Sequence, residues 1–528
     1  MSDPQNPFDG RSTDDPKGLF ARALAAWHLR FGGDGETKPE DRVGFGRMVV
    51  YGIGAFVNNT LAAAIGGMLI VLNLGLGMDP ALVGLLGALP RLSDAITDPL
   101  MGYISDHTKS RWGRRRPYIF GGAIAAGVIF MILWWLPLGQ SEDFYFWWFL
   151  VGSILFYLAY TVFATPWVAM GYELTPDYNE RTRLMGVQNF IGQLAYVVSP
   201  WFLWIMTNKA WFPDQVIGAR WLAVIIGAVV ICLGILPAIF LRERFAEGSD
   251  IQDTPEPDEA GGGSGHGPPH GDGVVDAPTG GLVDSLKDFG RGLAITLRST
   301  SFLKLGAATF LVFNGFILIS SFQYYVIIYY VFGGDQELGA EWAGYSGTVG
   351  AVSTFVVITF VTWLGTKVGK RRAFFVAIGA SILGYALKWF CYDPAVPWLL
   401  LVPAPLMAFG LGGLFTLMGS MIADVVDEDE LLTGERREGM FGSIFWWVVK
   451  LGMAAALAGG GYLLNWTGFD VDLGGAQAET TIFWMRVCDA FVPVVTSALA
   501  IWAVWSYPIT EETANATRAE LEARRGAT

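Results

Sequence analysis

Arg91, Asp94 and Asp98 sit in an otherwise apolar segment at spacings of three and four, which stacks them on one face of a helix. An ionised side chain at the centre of a bilayer costs at least about 2.5–3.5 kcal/mol, so each of these charges needs a reason. Pro99 follows Asp98 directly and has no N–H to give the carbonyl of Ala95, one turn back. A freed backbone oxygen then lies near two carboxylates. A second apolar segment repeats the device, with Pro166 freeing the carbonyl of Val162 beside the hydroxyls of Thr161 and Thr165. Carboxylates, hydroxyls and loosened carbonyls are the oxygen ligands of a hard cation. Facing each other across a helix bundle they would hold one Na+, or a proton shared by the two carboxylates. Lys450, in the run FGSIFWWVVKLG, is the expected countercharge from elsewhere in the bundle, with Arg91 as a second. A purely structural pairing of Arg91 with the aspartates would leave one aspartate and Lys450 without a role.

The remaining polar groups in apolar segments divide by type. Arg486 and Asp489, three residues apart, suit a local ion pair near the membrane edge, and Lys388 is expected to snorkel to the interface. The four histidines, His28, His107, His266 and His270, fall outside apolar segments, so no imidazole relay crosses the membrane. Amides beside aromatic faces suit a polyhydroxyl solute. Such positions are Asn58, Asn59, Thr60, Tyr160, Trp167, Gln188, Asn189 and Gln193, then Asn314, Gln323, Phe415 and Trp446. Each also has a structural reading, because amides join helices and membrane-edge aromatics form belts.

These residues must be positioned by membrane helices. The 528 residues are 53% hydrophobic and only 16% charged, against about 25% charged in an ordinary soluble chain. Apolar runs recur that reach the roughly 20 residues a spanning helix needs. The pattern predicts helices at 46–76, 80–104, 117–138, 144–172, 184–206 and 221–241, then at 302–331, 341–366, 372–392, 396–424, 438–466 and 480–506. Residues 1–45 read as a polar tail, 242–301 as a linker containing TPEPDEAGGGSGHGPPHGDG, and 507–528 as a second tail. Two bundles, 46–241 and 302–506, result. This is an all-α membrane protein with twelve transmembrane helices in two six-helix halves, the plan of the major facilitator fold.

An internal echo supports the division. SDHTKSRWGRRRP follows the second predicted helix and GTKVGKRR follows the eighth, equivalent places in two parallel repeats. Their basic residues, with Arg242, Arg244, Arg436 and Arg437, lie on one face, while the other carries little beyond Lys209 and Arg220. The positive-inside rule puts both termini and the linker in the cytoplasm of a cell inner membrane. Arg111, Arg114, Arg115 and Arg116 serve as topological anchors. They are also expected to pair with Glu173, Asp177, Asp424 or Asp427 when the cytoplasmic side is shut. The three cysteines have no paired or metal-type spacing, and the formal charge of −13 sits largely in tails and linker, where it solvates the chain. HExxH, GxSxG and Walker motifs are absent, which argues against an enzyme. No structural metal, cofactor or nucleic-acid partner is expected.

YGIGAF, RLSDAITDPLMGYISDHTKSRWGRRRPYI, ELTPDYNERTRL, IADVVD and VVKLG together resemble the glycoside-pentoside-hexuronide:cation symporter family. Melibiose permease is a member of that family, and the animal sodium-dependent lysophospholipid symporters are relatives. The resemblance implies a secondary transporter that couples a solute, a sugar or glycoside, to Na+ or H+ by alternating access, and a chain that functions as a monomer is expected. It assigns Asp94, Asp98 and Thr161 to the cation site, with Lys450 on the eleventh helix. Thr97 stands where Na+-using relatives commonly carry Asn, which leaves Na+ and H+ both open. The melibiose-type sugar site is not matched: its ionic and indole groups are replaced by Asn59, Ala164, Val168, Asn189 and Phe415. An α-galactoside is therefore not expected, and a lysolipid-like amphipathic solute is the alternative cargo.

Overall fold

The computed structural model describes residues 41–175, 178–243, 296, 298–434 and 437–526. Asp177, Arg244, Arg436 and nearly all of the tail 1–45 and the linker lie outside the described residues, as do the side chains of Asp94, Pro99 and His107.

The first half contains α1 (Phe45–Met68, continued by Ile70–Leu74), α2 (Pro80–His107), α3 (Arg116–Trp134), α4 (Glu142–Glu173), α5 (Tyr178–Val198, continued by Phe202–Thr207) and α6 (Gln215–Phe240). The second contains α7 (Thr300–Tyr325), α8 (Gln336–Val368), α9 (Lys370–Cys391), α10 (Pro403–Thr433), α11 (Glu438–Trp466) and α12 (Glu479–Trp505). A further helix, α13 (Glu511–Gly526), follows in the C-terminal segment, where a tail was expected. Among the described residues, eleven helices are long and apolar enough to cross a membrane. Helix α2, whose described apolar stretch is Pro80–Ser93, is not among them; its 28 residues still span about 42 Å at 1.5 Å per residue. Several boundaries differ from expectation, two of them for a clear local reason. Helix α10 runs on to Thr433, since DVVDEDELL has good helix formers and ends at Gly434 in the left-handed conformation. Helix α6 starts at Gln215 because the Asp214 carboxylate accepts from the N–H groups of Val216 and Ile217.

The repeat seen in the basic loops has a structural counterpart. Arg116, at the start of α3, donates to the carbonyls of Ala238 (2.6 Å) and Ile239 (3.2 Å) at the end of α6. In the second half Arg371, at the start of α9, donates to Trp505 and Tyr507 at the end of α12. One arginine in each half thus caps the last carbonyls of that half's final helix. In the first half the return contact is Glu243, buried, whose carboxylate accepts from the N–H groups of Arg114 (2.7 Å), Arg115 (2.8 Å) and Arg116 (3.0 Å). Gly113, at φ +101°, lets the loop pass over that carboxylate, and a Cβ there would lie 2.7 Å from it.

The halves close on each other at the face opposite the basic loops. Gly84 on α2 packs against the backbone of α11, where a Cβ would come within 2.6 Å of the Leu457 carbonyl, and Gly461 packs reciprocally on Pro80. Asn465 donates to both oxygens of Asp79, at 2.9 and 2.8 Å. The Tyr325 hydroxyl donates to buried Asn73 at 3.0 Å, and the Trp201 indole donates to Thr348 at 2.8 Å. At the basic-loop face Arg114 and Arg115 pair with Glu173, Arg115 with Asp106, Lys370 with Asp424 and Arg437 with Asp429, each pair within one half.

Candidate cation and solute site

Asp98 is where the two halves meet in mid-membrane. Its Oδ1 accepts from the Thr161 hydroxyl of α4 at 2.9 Å, and its Oδ2 is ion-paired with Lys450 of α11. Thr97 and Thr161 hydroxyls lie 3.5 Å apart, so Thr97, Asp98 and Thr161 form one oxygen cluster on two helices. Thr161 is buried, whereas the side chains of Asp98 and Lys450 are 36% and 30% exposed to the space between the halves. With the opposite face sealed, that exposure makes the cluster accessible to a small ion. Arg91 is buried two turns away on α2; its guanidinium lies 5.5 Å over the Tyr157 ring and 3.7 Å from the Met453 sulfur on α11. A guanidinium placed on an aromatic face and a thioether is held as a fixed positive charge in the wall.

The expected solute-facing residues separate into three groups. Phe415 and Trp446 stack with centroids 6.1 Å apart and are well exposed, and Phe313 meets the edge of Phe415 at 5.7 Å. Asn189 is exposed and accepts weakly from Gln193 at 3.4 Å. The second group ties helices together while remaining partly exposed: Tyr160 donates to Asn58 at 2.8 Å, and Asn59 donates to the Gly192 carbonyl of α5 at 3.0 Å. The third group is removed from the site. Trp167 is buried in the first-half core, stacked on Tyr51 at 5.1 Å and on Phe163 at 6.4 Å, in a slot that exists because residue 54 is glycine. Gln323 points to Lys388 instead of the inter-half space.

The expectations for Lys388 and for Arg486 with Asp489 are overturned. Lys388 does not snorkel: its ammonium is fully buried and pairs with Asp489 at 2.6 Å. Arg486 instead lies between the rings of Tyr330 (4.0 Å) and Trp389 (4.4 Å) and donates to the Trp389 carbonyl. Spacing along one helix suggested a local pair, but the helix rotation turns Asp489 inward to α9. The far-face contacts of Asn73, Tyr325, Asp79 and Asn465 were also not anticipated. Their signal was faint: polar residues at helix ends and a GGG run in α11.

The sequence pattern described as MFS/sugar transport protein matches residues 50–261 and 284–511. A symporter of Synechocystis, sll1374, whose role is uncharacterised, is 26% identical over 85% of this chain and 91% of its own length. The glucuronide carrier protein homolog of Escherichia coli is 23% identical, covering 90% of this chain and 95% of its own. Sodium-dependent lysophosphatidylcholine symporter 1 of Gallus gallus is 21% identical over 88% and 86%. Among solved structures, a bacterial homolog of the human lysosomal transporter Spinster superposes with a TM-score of 0.58 at 17% identity, covering 92% of this chain and 98% of that one. The likeness to solved structures establishes the fold, and the match along both halves establishes the family: this chain is a membrane transporter of the MFS/sugar transport protein family, in its glycoside-pentoside-hexuronide:cation symporter branch.

Proposed function

We propose that the chain moves a sugar or glycoside across the cell inner membrane in symport with Na+ or H+, as a monomer with both termini cytoplasmic. The observation that carries this reading is the Lys450 ammonium on Asp98, joining α11 to α2 across the space between the halves. A lysine in that position is a tethered stand-in for the transported cation. When a cation binds Asp98 with Thr161, Thr97 and Asp94, Lys450 is displaced and the inter-half tie is released. When the cation leaves, the lysine returns and neutralises the carboxylate, so the empty carrier can change state without a bare charge in mid-membrane.

The solute is proposed to bind above this cluster, between Asn58, Asn59, Tyr160, Asn189 and Gln193 of one half and the Phe415–Trp446 stack of the other. Aromatic faces against sugar C–H groups and amides against hydroxyls are the matching chemistry. The arginines and acids of the basic-loop face are proposed as a cytoplasmic latch. In this conformation Arg114 and Arg115 pair with Glu173 and Lys370 pairs with Asp424, each within its own half, and in the opposite one Arg111, Arg114 or Arg115 would reach Asp424, Asp427 or Asp177. A second reading, an amphipathic lysolipid-like cargo, is favoured by the exposed aromatic stack of Phe415 and Trp446. Counterflow in proteoliposomes with a labelled glucuronide, a labelled pentose disaccharide and labelled lysophosphatidylcholine separates the two. Exchange of a sugar supports the first reading, exchange of the lysolipid alone replaces it with the second, and exchange of neither, by protein shown to bind Na+ or to move protons, refutes both cargo assignments.

A further inference from the structure

Lys388 on α9 and Asp489 on α12 form an ion pair in which each side chain is at most 2% exposed. The narrow void beside them, bordered by Val326, Tyr392 and Ala490, has no room for a water molecule. A dry pair of this kind is commonly no more stabilising than apolar side chains of equal volume, so stability alone is a weak explanation for it. One further contact of the pair reaches α7: the Lys388 ammonium donates to Gln323 of α7 at 3.4 Å, and it lies 5.1 Å from the ring of Tyr392 just after α9.

Two residues after Gln323, Tyr325 makes the buried hydrogen bond to Asn73 that joins the halves at the far face. Immediately afterwards α7 widens into a π-helix, Val326–Val331, a form that is rare and concentrated at functional sites. Arg486, one turn before Asp489 on α12, lies 4.0 Å over Tyr330 inside that π-helix. The π segment is therefore gripped on both sides by α9 and α12: through Lys388 and Gln323 before it, and through Arg486 and Tyr330 within it. Tyr325 sits at the junction.

We propose that the Lys388–Asp489 pair, with Gln323, is a positioning device that holds the π segment of α7 so that Tyr325 reaches Asn73, and thereby sets how strongly the far face stays closed. It goes beyond the cation site and rests only on the halves opening alternately. Loss of the device weakens one buried inter-half hydrogen bond. The population with the far face open should then rise between about twofold and tenfold, the range that one such bond gives.

The test is a spin-label distance between Lys209→Cys and Leu338→Cys, exposed far-face positions on opposite halves, in a background lacking Cys232, Cys391 and Cys488. The paired change Lys388→Met with Asp489→Leu leaves no unpaired buried charge. It should increase the long-distance population, and Tyr325→Phe should do the same without adding to it. An unchanged distance distribution in the folded double variant overturns the proposal, as does an effect that adds to that of Tyr325→Phe. Should the double variant fail to fold, Gln323→Leu, which alters no charge, decides: a shift of the same sign supports the device and no shift refutes it. Asp98→Asn in the same labelled background reports separately on the cation reading, so failure of one is not failure of the other.

Discussion

Replacing Lys450 with Met removes the charge that occupies Asp98 and keeps most of the side chain's apolar length. If the ammonium competes with the transported cation, its loss should tighten cation binding. The size of the effect follows from the geometry of the pair. With side chains 30% and 36% exposed, it lies between a surface ion pair, worth about 0–1 kcal/mol, and a buried one. Taking about 1 kcal/mol, the apparent cation affinity should rise about fivefold, since about 1.4 kcal/mol is a factor of ten. The gain should come with a fault: without a returning lysine the empty carrier carries a bare carboxylate, so net uphill uptake should slow more than counterflow does. Titration of Na+ into purified protein, followed by intrinsic tryptophan fluorescence or calorimetry, measures the first effect. For a proton-coupled carrier the corresponding measurement is the pH at which half the protein takes up its proton. An unchanged or weakened affinity in the Met variant refutes displacement of Lys450 by the cation.

Other expectations follow from the same contacts. Thr97→Asn places an amide oxygen beside Asp98 and should increase the response to Na+ in sugar uptake assays, with little effect on proton-driven uptake; an unchanged Na+ response removes residue 97 from the ligand set. Glu243→Ala leaves three N–H groups at the start of α3 without their carboxylate. It should cost about 1–2 kcal/mol by analogy with helix-cap removal, read as earlier thermal loss of the monodisperse protein in detergent. Asp424→Asn with Asp427→Asn should bias the carrier toward the conformation open at the basic-loop face, detected as faster thiol labelling of a cysteine placed there, whereas shortening the linker between Asp250 and Gly273 should leave transport nearly intact. Equal labelling of variant and parent would reduce these residues to anchors.

The helices were legible because a membrane leaves a chain few alternatives: backbone groups must be satisfied within each segment, so apolar length alone locates most spans. The inter-half meeting of Asp98 and Lys450 was legible for the same reason, since charges in apolar runs are costly enough to need each other. Lys388 and Asp489 obey that rule too, but they are 101 residues apart, and only the rotation of α9 and α12 brings them together. Sequence spacing offered Arg486 as the nearer partner, and it proved to be held by aromatic rings instead. Trp167 was misplaced because an indole next to Pro166 resembles a cavity wall; the slot that buries it is created by Gly54, more than a hundred residues earlier. The far-face closure depends on glycines and amides, whose cost in a membrane is too small to stand out in composition.

The central claim, that movement of solute is driven through Asp98, is tested most directly in proteoliposomes carrying the parent or Asp98→Asn and loaded for sugar uptake under an imposed Na+ or pH gradient. The parent should accumulate solute against its gradient with at least one of the two driving ions, and Asp98→Asn should retain counterflow while losing accumulation entirely. Uphill accumulation by Asp98→Asn at the parent level would contradict the account.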